Sequence, residues 1–226
     1  MKVLFSSLLL ALCLGLISCA SVSVQSRSEH SSIQPPKKIY VASFDTAGCT
    51  FKVDREGDEL ADFKQHLRAM MQAGMVADLS RRLVPAVAGN REAGKRENAW
   101  LIRGEFVRVN QGSRLLRGAI GFGAGGTKVE TNVSVYDLST GSTTPILTFS
   151  TTGGSGAEPG GITGLATDPV TLVVEVAAGG AGGVAHGVTE DTARTAREIT
   201  AMLSDYMYRS GWIPYDKWIP PKRLEK

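Results

Sequence analysis

The chain has 226 residues, 42% of them hydrophobic, and this length is typical of one large domain or two small ones. Its 25 basic and 22 acidic residues give a formal net charge of +3 at pH 7. Removal of residues 1–18, which hold one lysine, would lower that charge to +2. A charge this small excludes the strong basic field typical of nucleic-acid-binding proteins, so we expect no nucleic-acid partner.

The first 18 residues have the pattern of a secretory signal peptide, in which a basic residue precedes a short apolar run. Lys2 is that basic residue, and the apolar run covers residues 3–17. The run is shorter than the ~20 residues that a membrane-spanning helix needs. It closes with the letters LISC at residues 16–19, which resemble the lipobox of bacterial lipoproteins.

In lipoproteins of that class, the signal is removed just before the cysteine, and the cysteine thiol carries diacylglycerol. The resemblance therefore implies that Cys19 is the lipid-attachment site and that membrane lipid is a partner of the chain. Ala20, in the next position, implies delivery to the outer membrane on its periplasmic side. An ordinary cleaved signal followed by a coincidental cysteine is the alternative.

Residues 19–36 comprise the lipidated cysteine and a stretch with six serines and two prolines. A stretch with so few large apolar side chains buries too little surface to order itself, so we predict a flexible tether. Because Cys13 leaves with the signal and Cys19 carries lipid, Cys49 is the one thiol that remains. A disulfide within the mature chain is therefore excluded.

The hydrophobic pattern after the tether predicts one α+β domain over residues 37–212, with a mostly antiparallel sheet and two main helices packed on it. The predicted strands are rich in β-branched and aromatic residues and cover 37–45, 99–109, the stretch before the turn at 137–141, and 144–151. The predicted helices have apolar residues at a period near 3.6 and cover 58–84 and 190–208. Residues 213–226 form a C-terminal tail that contains prolines and basic residues.

Three glycines, Gly121, Gly123 and Gly126, match the G-x-G-x-x-G spacing of a dinucleotide-binding loop. Such a loop needs a helix after its last glycine, because the helix N-terminus holds the pyrophosphate. The alternating residues after Gly126 predict a strand instead. We therefore interpret these glycines as a bend between strands and predict no nucleotide or other cofactor.

The sequence carries no spacing typical of a catalytic or metal site. The letters GGSGA at 153–157 lack the last glycine of a nucleophile elbow, and the three histidines are far apart in the sequence, at positions 30, 66 and 186. We therefore predict that the protein is not an enzyme and that it has no catalytic, cofactor-binding or metal-binding residues.

Three charged residues near the glycine bend, Arg114, Arg117 and Asp137, are the best candidates for a polar site. For these residues we favour a structural ion pair over a reactive site. In the tail, Tyr215 and Trp218 have two interpretations, a docking surface or a clamp that holds the tail on the domain. We favour the clamp.

The segment 153–187 holds eleven glycines around an apolar stretch. It has two interpretations as well. One is a mobile surface excursion, and the other is a small-residue element that inserts against a partner or the bilayer.

The lipobox, the stretches KKIYVASFD and 101–141, and the late helix that ends in SGW together resemble the bacterial lipoproteins of the domain-of-unknown-function 4410 family. The most specific part of the resemblance is the stretch 112–137, which contains Arg114, Arg117, the glycines, the alternating valines and Asp137. The resemblance implies an envelope lipoprotein of unknown function.

We therefore expect a membrane-tethered, non-catalytic domain that binds a protein or glycan partner in the cell envelope. The alternative is a component of an envelope assembly or secretion complex, in which the glycine-rich segment 153–187 faces the membrane. A hydrolase or nucleotide-binding enzyme is the third hypothesis. The main argument against it is that the sequence lacks residues at the spacing of a known catalytic motif.

Overall fold

A computed structural model of the chain describes residues 22–29, 34–112, 126–154, 173–174 and 186–222, and for 22–29 and 186 it describes the backbone alone. Residues 1–18 and Cys19 lie outside this part of the chain. The strands and helices are β1 (Val22–Glu29), β2 (Lys38–Val41), β3 (Thr50–Lys52), α1 (Gly57–Arg82), β4 (Ala86–Ala88), β5 (Ala99–Asn110), β6 (Lys128–Asp137), β7 (Leu147–Gly154) and α2 (His186–Arg209). A short 3-10 helix, Tyr215–Lys217, follows α2.

The strands form one mixed sheet in the order β1-β7-β6-β5-β2-β4, and the short β3 pairs with the second half of β5. The predicted single α+β domain with two main helices is confirmed. So is the strand that follows Gly126, because β6 begins at Lys128 and pairs antiparallel with β7.

We predict a mostly antiparallel sheet, but the sheet is mixed, and its described strands form as many parallel as antiparallel pairs. The pairs β1/β7, β7/β6 and β6/β5 are antiparallel, whereas β5/β2, β2/β4 and β3/β5 are parallel. The reason is the long connection through α1, which lets the chain cross the sheet and enter β4 in the same direction as β2. The side of the sheet with β2, β3 and β4 is therefore parallel to β5, and the side with β6, β7 and β1 is antiparallel.

Both helices pack on one face of the sheet and on each other, and the core lies between them and the sheet. The sheet contributes the buried side chains of its helix-facing side, among them Trp100, Ile102, Phe106, Val129, Val133 and Phe149. The helices contribute apolar side chains at helical spacing, among them Phe63, Leu67, Met71, Ala196, Ile199 and Leu203. None of the described helices is long and apolar enough to cross a membrane.

One glycine on the core side of β5 is required by packing. The ring of Phe44 lies directly over Gly104, and a Cβ atom at Gly104 would overlap that ring. Phe44 also contacts Phe106, with 5.8 Å between the ring centroids. Gly104 therefore lets β5 approach the chain that follows β2.

The N-terminal segment differs from the predicted flexible tether, because Val22–Glu29 forms the edge strand β1. β1 pairs antiparallel with β7, from Val22 opposite Gly153 to Glu29 opposite Leu147. Strand pairing satisfies backbone N–H and C=O groups and needs little apolar burial from the added strand, which is why low hydrophobicity does not prevent it. The connection between Cys19 and β1 thus comprises two residues, Ala20 and Ser21.

The register pairs define two ends of the sheet. We call the end that contains Lys52, Asn110, Lys128 and Gly154 the upper end. β1 begins at this end, since Val22 lies opposite Gly153. The lower end contains the first residues of β5 and, opposite Trp100, the last residue of β6, Asp137.

Candidate functional site

The C-terminal tail turns back at the end of α2 and lies along that helix. Gly211, with a φ of 74°, makes the turn, and the N–H of Trp212 donates to the carbonyl of Met207 at 2.9 Å. Glycine favours this left-handed conformation because it has no Cβ atom. The predicted end of the helix at Ser210–Gly211 is therefore confirmed.

Three polar side chains on α2 hold the tail. Asp205 Oδ1 accepts a hydrogen bond from Trp218 Nε1 at 3.2 Å, and Ser204 Oγ accepts one from the N–H of Ile219 at 2.9 Å. Nearer the N-terminus of α2, Glu198 Oε1 accepts a hydrogen bond from the N–H of Lys222 at 2.6 Å. The tail therefore runs antiparallel to α2.

Burial affects the ionisation of one of these side chains. Glu198 is almost fully buried, and this burial raises the pKa of its carboxyl to about 7. The hydrogen bond from the Lys222 N–H and the charge of the Lys222 side chain oppose the rise in pKa. Glu198 is therefore an acceptor whose charge changes near neutral pH.

An aromatic surface forms where the tail meets the end of α2, and we define it by Tyr208, Tyr215 and Trp218. The rings of Tyr208 and Trp218 stack with 5.1 Å between their centroids, and Tyr215 lies 5.7 Å from Trp218 and 6.2 Å from Tyr208. The side chain of Trp218 clamps the tail, as predicted, whereas Tyr215 is 71% exposed. The clamp is therefore confirmed for Trp218, and a docking role for Tyr215 stays a prediction.

A second aromatic cluster anchors this surface to the core. Trp100, Tyr206 and Trp212 contact one another, with centroid distances of 5.6 to 6.0 Å. Trp100 is the first large residue of β5, so the cluster fixes the aromatic surface at the lower end of the sheet. Within the described part of the chain, the buried Nε1 of Trp100 has no hydrogen-bond partner.

A buried polar network joins Thr127, the residue directly before β6, to α2 at the upper end. Thr127 Oγ1 donates to Asp191 Oδ2 at 2.5 Å, and Arg194 Nη1 donates to Asp191 Oδ1 at 3.1 Å. Burial raises the pKa of Asp191, and the hydrogen bond from Thr127 and the charge of Arg194 oppose that rise. Because both oxygens of this carboxylate have donors, the network is suited to holding α2 against β6.

The predicted polar set of Arg114, Arg117 and Asp137 is only partly described. Arg114 and Arg117 lie outside the described residues. Asp137 is at the lower end of β6, nine residues from Lys128, so it does not lie beside the glycine bend, which rejoins the sheet at the upper end. Its Oδ1 accepts hydrogen bonds from the N–H and the hydroxyl of Ser139, at 2.9 and 2.6 Å, which identifies a turn-forming role.

The other predicted features have ordinary structural roles where they are described. The ring of His66 is hydrogen-bonded to the carbonyl of Asp62, one turn earlier in α1. Cys49 is a half-buried thiol, and burial raises its pKa to about 11. In the described ranges, no three His, Cys, Asp or Glu side chains are grouped closely enough to hold a metal ion.

The sheet face opposite the helices carries a small apolar cluster of Tyr40, Ala99, Leu101 and Leu138 beside the loop 89–98, and it is polar where it crosses the middle of β5, β6 and β7. Asn132 Nδ2 donates to Glu105 Oε1 at 2.8 Å, and Ser150 Oγ donates to Asn132 Oδ1 at 2.7 Å, so one chain of hydrogen bonds crosses β5, β6 and β7. The polar loop 89–98 meets this face at Tyr40, whose hydroxyl donates to Glu97 at 2.9 Å.

Sequence reasoning missed the acceptors on α2, because Glu198, Ser204 and Asp205 have the pattern of a solvent-exposed helix face. The signal that could have found them lies in the tail. A prolyl segment with a tryptophan directly after a helix stop favours a chain that folds back, and its N–H groups then need acceptors.

Comparisons with known proteins place the chain in a family without assigning a role. No curated protein matches the chain significantly. Its structure is similar to that of the PelC dodecamer from Paraburkholderia phytofirmans, at 10% identity and a TM-score of 0.39 over 76% of this chain and 96% of that one. A PelC variant from the same organism, with one leucine replaced by methionine, gives 12% identity and a TM-score of 0.41 over 76% and 94%. The model of the family described as "Domain of unknown function (DUF4410)" matches residues 39–168, which is more than half of the chain. The chain therefore belongs to the DUF4410 family.

Proposed function

We propose that this protein is a bacterial envelope lipoprotein, anchored in the outer membrane through lipid on Cys19, whose α+β domain binds a protein partner without catalysis. The observation that carries the proposal is the LISC sequence at residues 16–19 after a basic residue and a short apolar run. Such a run is too short to remain as a membrane-spanning helix. A lipid is therefore the anchor that this sequence pattern favours.

The aromatic surface supports a binding role. Tyr215 is 71% exposed and rests on the stacked pair of Tyr208 and Trp218, which is itself fixed to α2 through Asp205. Tyrosine and tryptophan rings held in a fixed position supply contact area at a low cost in conformational entropy, and they are enriched at the centre of protein interfaces. We therefore place the partner-binding surface at the lower end of the sheet.

The proposal is tested by in-cell cross-linking of the full chain, followed by mass spectrometry of the captured proteins. We expect one defined envelope protein, with capture that falls at least tenfold in Tyr215→Ala and is lost in Cys19→Ala. Lys217→Ala is the matched control, because Lys217 is an exposed neighbour in the same turn. Equal capture by all variants would contradict the binding surface, and incorporation of labelled palmitate by Cys19→Ala would contradict the anchor.

A second function, a component of an envelope assembly with a membrane-facing glycine-rich segment, is favoured by one observation. β7 ends at Gly154 and α2 begins at His186, and both are at the upper end of the sheet, where β1 begins. The glycine-rich segment thus departs from and returns to the end nearest Cys19. Detergent extraction that yields oligomers, with protease resistance of this segment only in the oligomer, would support the second function over the first.

A further inference from the structure

We propose that the upper end of the sheet, marked by Lys52, Asn110, Lys128 and Gly154, rests against the bilayer, and that the aromatic surface points away from it. This proposal rests on the proposed lipid at Cys19. It adds an orientation and a membrane-contact surface, which follow from where β1 begins.

The first step is the length of the connection to the anchor. Val22 is the first residue of β1 and lies three residues after Cys19. Consecutive Cα atoms are 3.8 Å apart, so three steps span at most about 11 Å. Val22 therefore lies within about 11 Å of a Cys19 backbone held at the headgroups.

The second step is that other strands reach the same level. Val22 lies opposite Gly153, Gly153 opposite Val129, Val129 opposite Val109, and Val109 opposite Phe51. With about 4.8 Å between neighbouring strands, this row extends roughly 19 Å from β1 to β3. The row gives the domain a broad edge beside the anchor.

The third step is the distance to the lower end. β5 runs from Ala99 at the lower end to Asn110 at the upper end, a length of roughly 35 Å at 3.3 Å per residue. Trp100 and its cluster with Trp212 mark that lower end. With the upper end on the bilayer, the aromatic surface is therefore presented to the aqueous space.

The test measures which end approaches the lipid. A fluorophore is attached at Lys52→Cys or, as the matched control, at Thr143→Cys, and both variants also carry Cys49→Ser. Both positions are exposed. Position 52 lies at the upper end of the sheet, and position 143 lies in the β6–β7 turn at the lower end. The lipidated full chain is reconstituted in vesicles of phosphatidylethanolamine and phosphatidylglycerol, with or without a nitroxide-headgroup lipid. We expect at least threefold stronger nitroxide quenching at position 52 than at position 143.

Equal quenching at the two positions, or stronger quenching at position 143, would overturn the orientation. The two proposals fail in distinguishable ways. If the lipid anchor is wrong, the labelled protein will carry no lipid mass and will not float with the vesicles. If only the orientation is wrong, the protein will be lipidated and bound to vesicles, but the two positions will be quenched equally or position 143 will be quenched more strongly. Thermal unfolding of each labelled variant, compared with the unlabelled chain, establishes that the fold is intact.

Discussion

Glu198 on α2 accepts a hydrogen bond from the backbone N–H of Lys222 at 2.6 Å, and this contact fixes the far end of the C-terminal tail. The tail turns at Gly211, stacks Trp218 on Tyr208 and then follows the helix to Glu198. Its hold on the helix therefore depends on a carboxyl whose pKa is raised to about 7.

The first prediction concerns pH. The folded-state pKa of Glu198, about 7, lies above its ordinary value of 4.5, so its stabilising contribution is complete below pH 4.5 and is lost as pH rises through about 7. Glu198→Gln keeps the acceptor oxygen but cannot ionise. Between pH 4.5 and 7.5 we expect the free energy of unfolding to fall by about 2 kcal/mol less in this variant than in the wild type. Denaturant titrations across this range measure the difference, with exposed Glu92→Gln as the control. Parallel pH profiles for wild type and Glu198→Gln would contradict it.

The second prediction concerns the close approach of Phe44 to Gly104. Gly104→Ala places a Cβ atom inside the Phe44 ring, so we expect the free energy of unfolding to fall by about 1–3 kcal/mol. Gly48→Ala is the control, because no atom lies within 4 Å of a Cβ atom built there. Chemical denaturation measures both variants, and equal stabilities would show that the loop after β2 relaxes freely.

The third prediction concerns the tail. Trp218→Ala removes the stacking on Tyr208 and the hydrogen bond to Asp205, so we expect amide exchange at Ile219 and Lys222 to become about tenfold faster. Hydrogen-exchange mass spectrometry measures the rates, with Lys217→Ala as the neighbouring control. Unchanged exchange in Trp218→Ala would mean that the polar contacts to Ser204 and Glu198 hold the tail alone.

The fourth prediction concerns the buried network at the upper end. Thr127→Val removes one donor from the buried carboxylate of Asp191 while nearly preserving the volume, so we expect a loss of about 1–3 kcal/mol in the free energy of unfolding. Thr143→Val, on an exposed turn, should change it by less than about 0.5 kcal/mol. The network would be unimportant for stability if the two threonine variants unfolded alike.

Much of the fold could be predicted because local patterns decide it. The apolar spacing from Phe63 to Leu79 predicts α1, and the alternation from Val129 to Val135 predicts β6, and both elements are found. Those patterns depend only on which face of an element is buried.

Two features could not be predicted, because non-local pairing decides them. β1 has a polar sequence, and its order comes from the backbone groups of β7, which lies more than a hundred residues later. The parallel pairing of β2 with β4 depends on the path of α1 across the sheet, which strand patterns do not record. The site shows the same limit, since Glu198 has the sequence pattern of an exposed helix residue until the tail covers it.

The measurement that tests the central claim most directly is the intact mass of the protein extracted from bacterial membranes. The account predicts a mature chain that begins at Cys19 and carries the mass of a diacylglyceryl group on that residue. A mature chain that begins at any other residue, or one that begins at Cys19 without lipid mass, would contradict it.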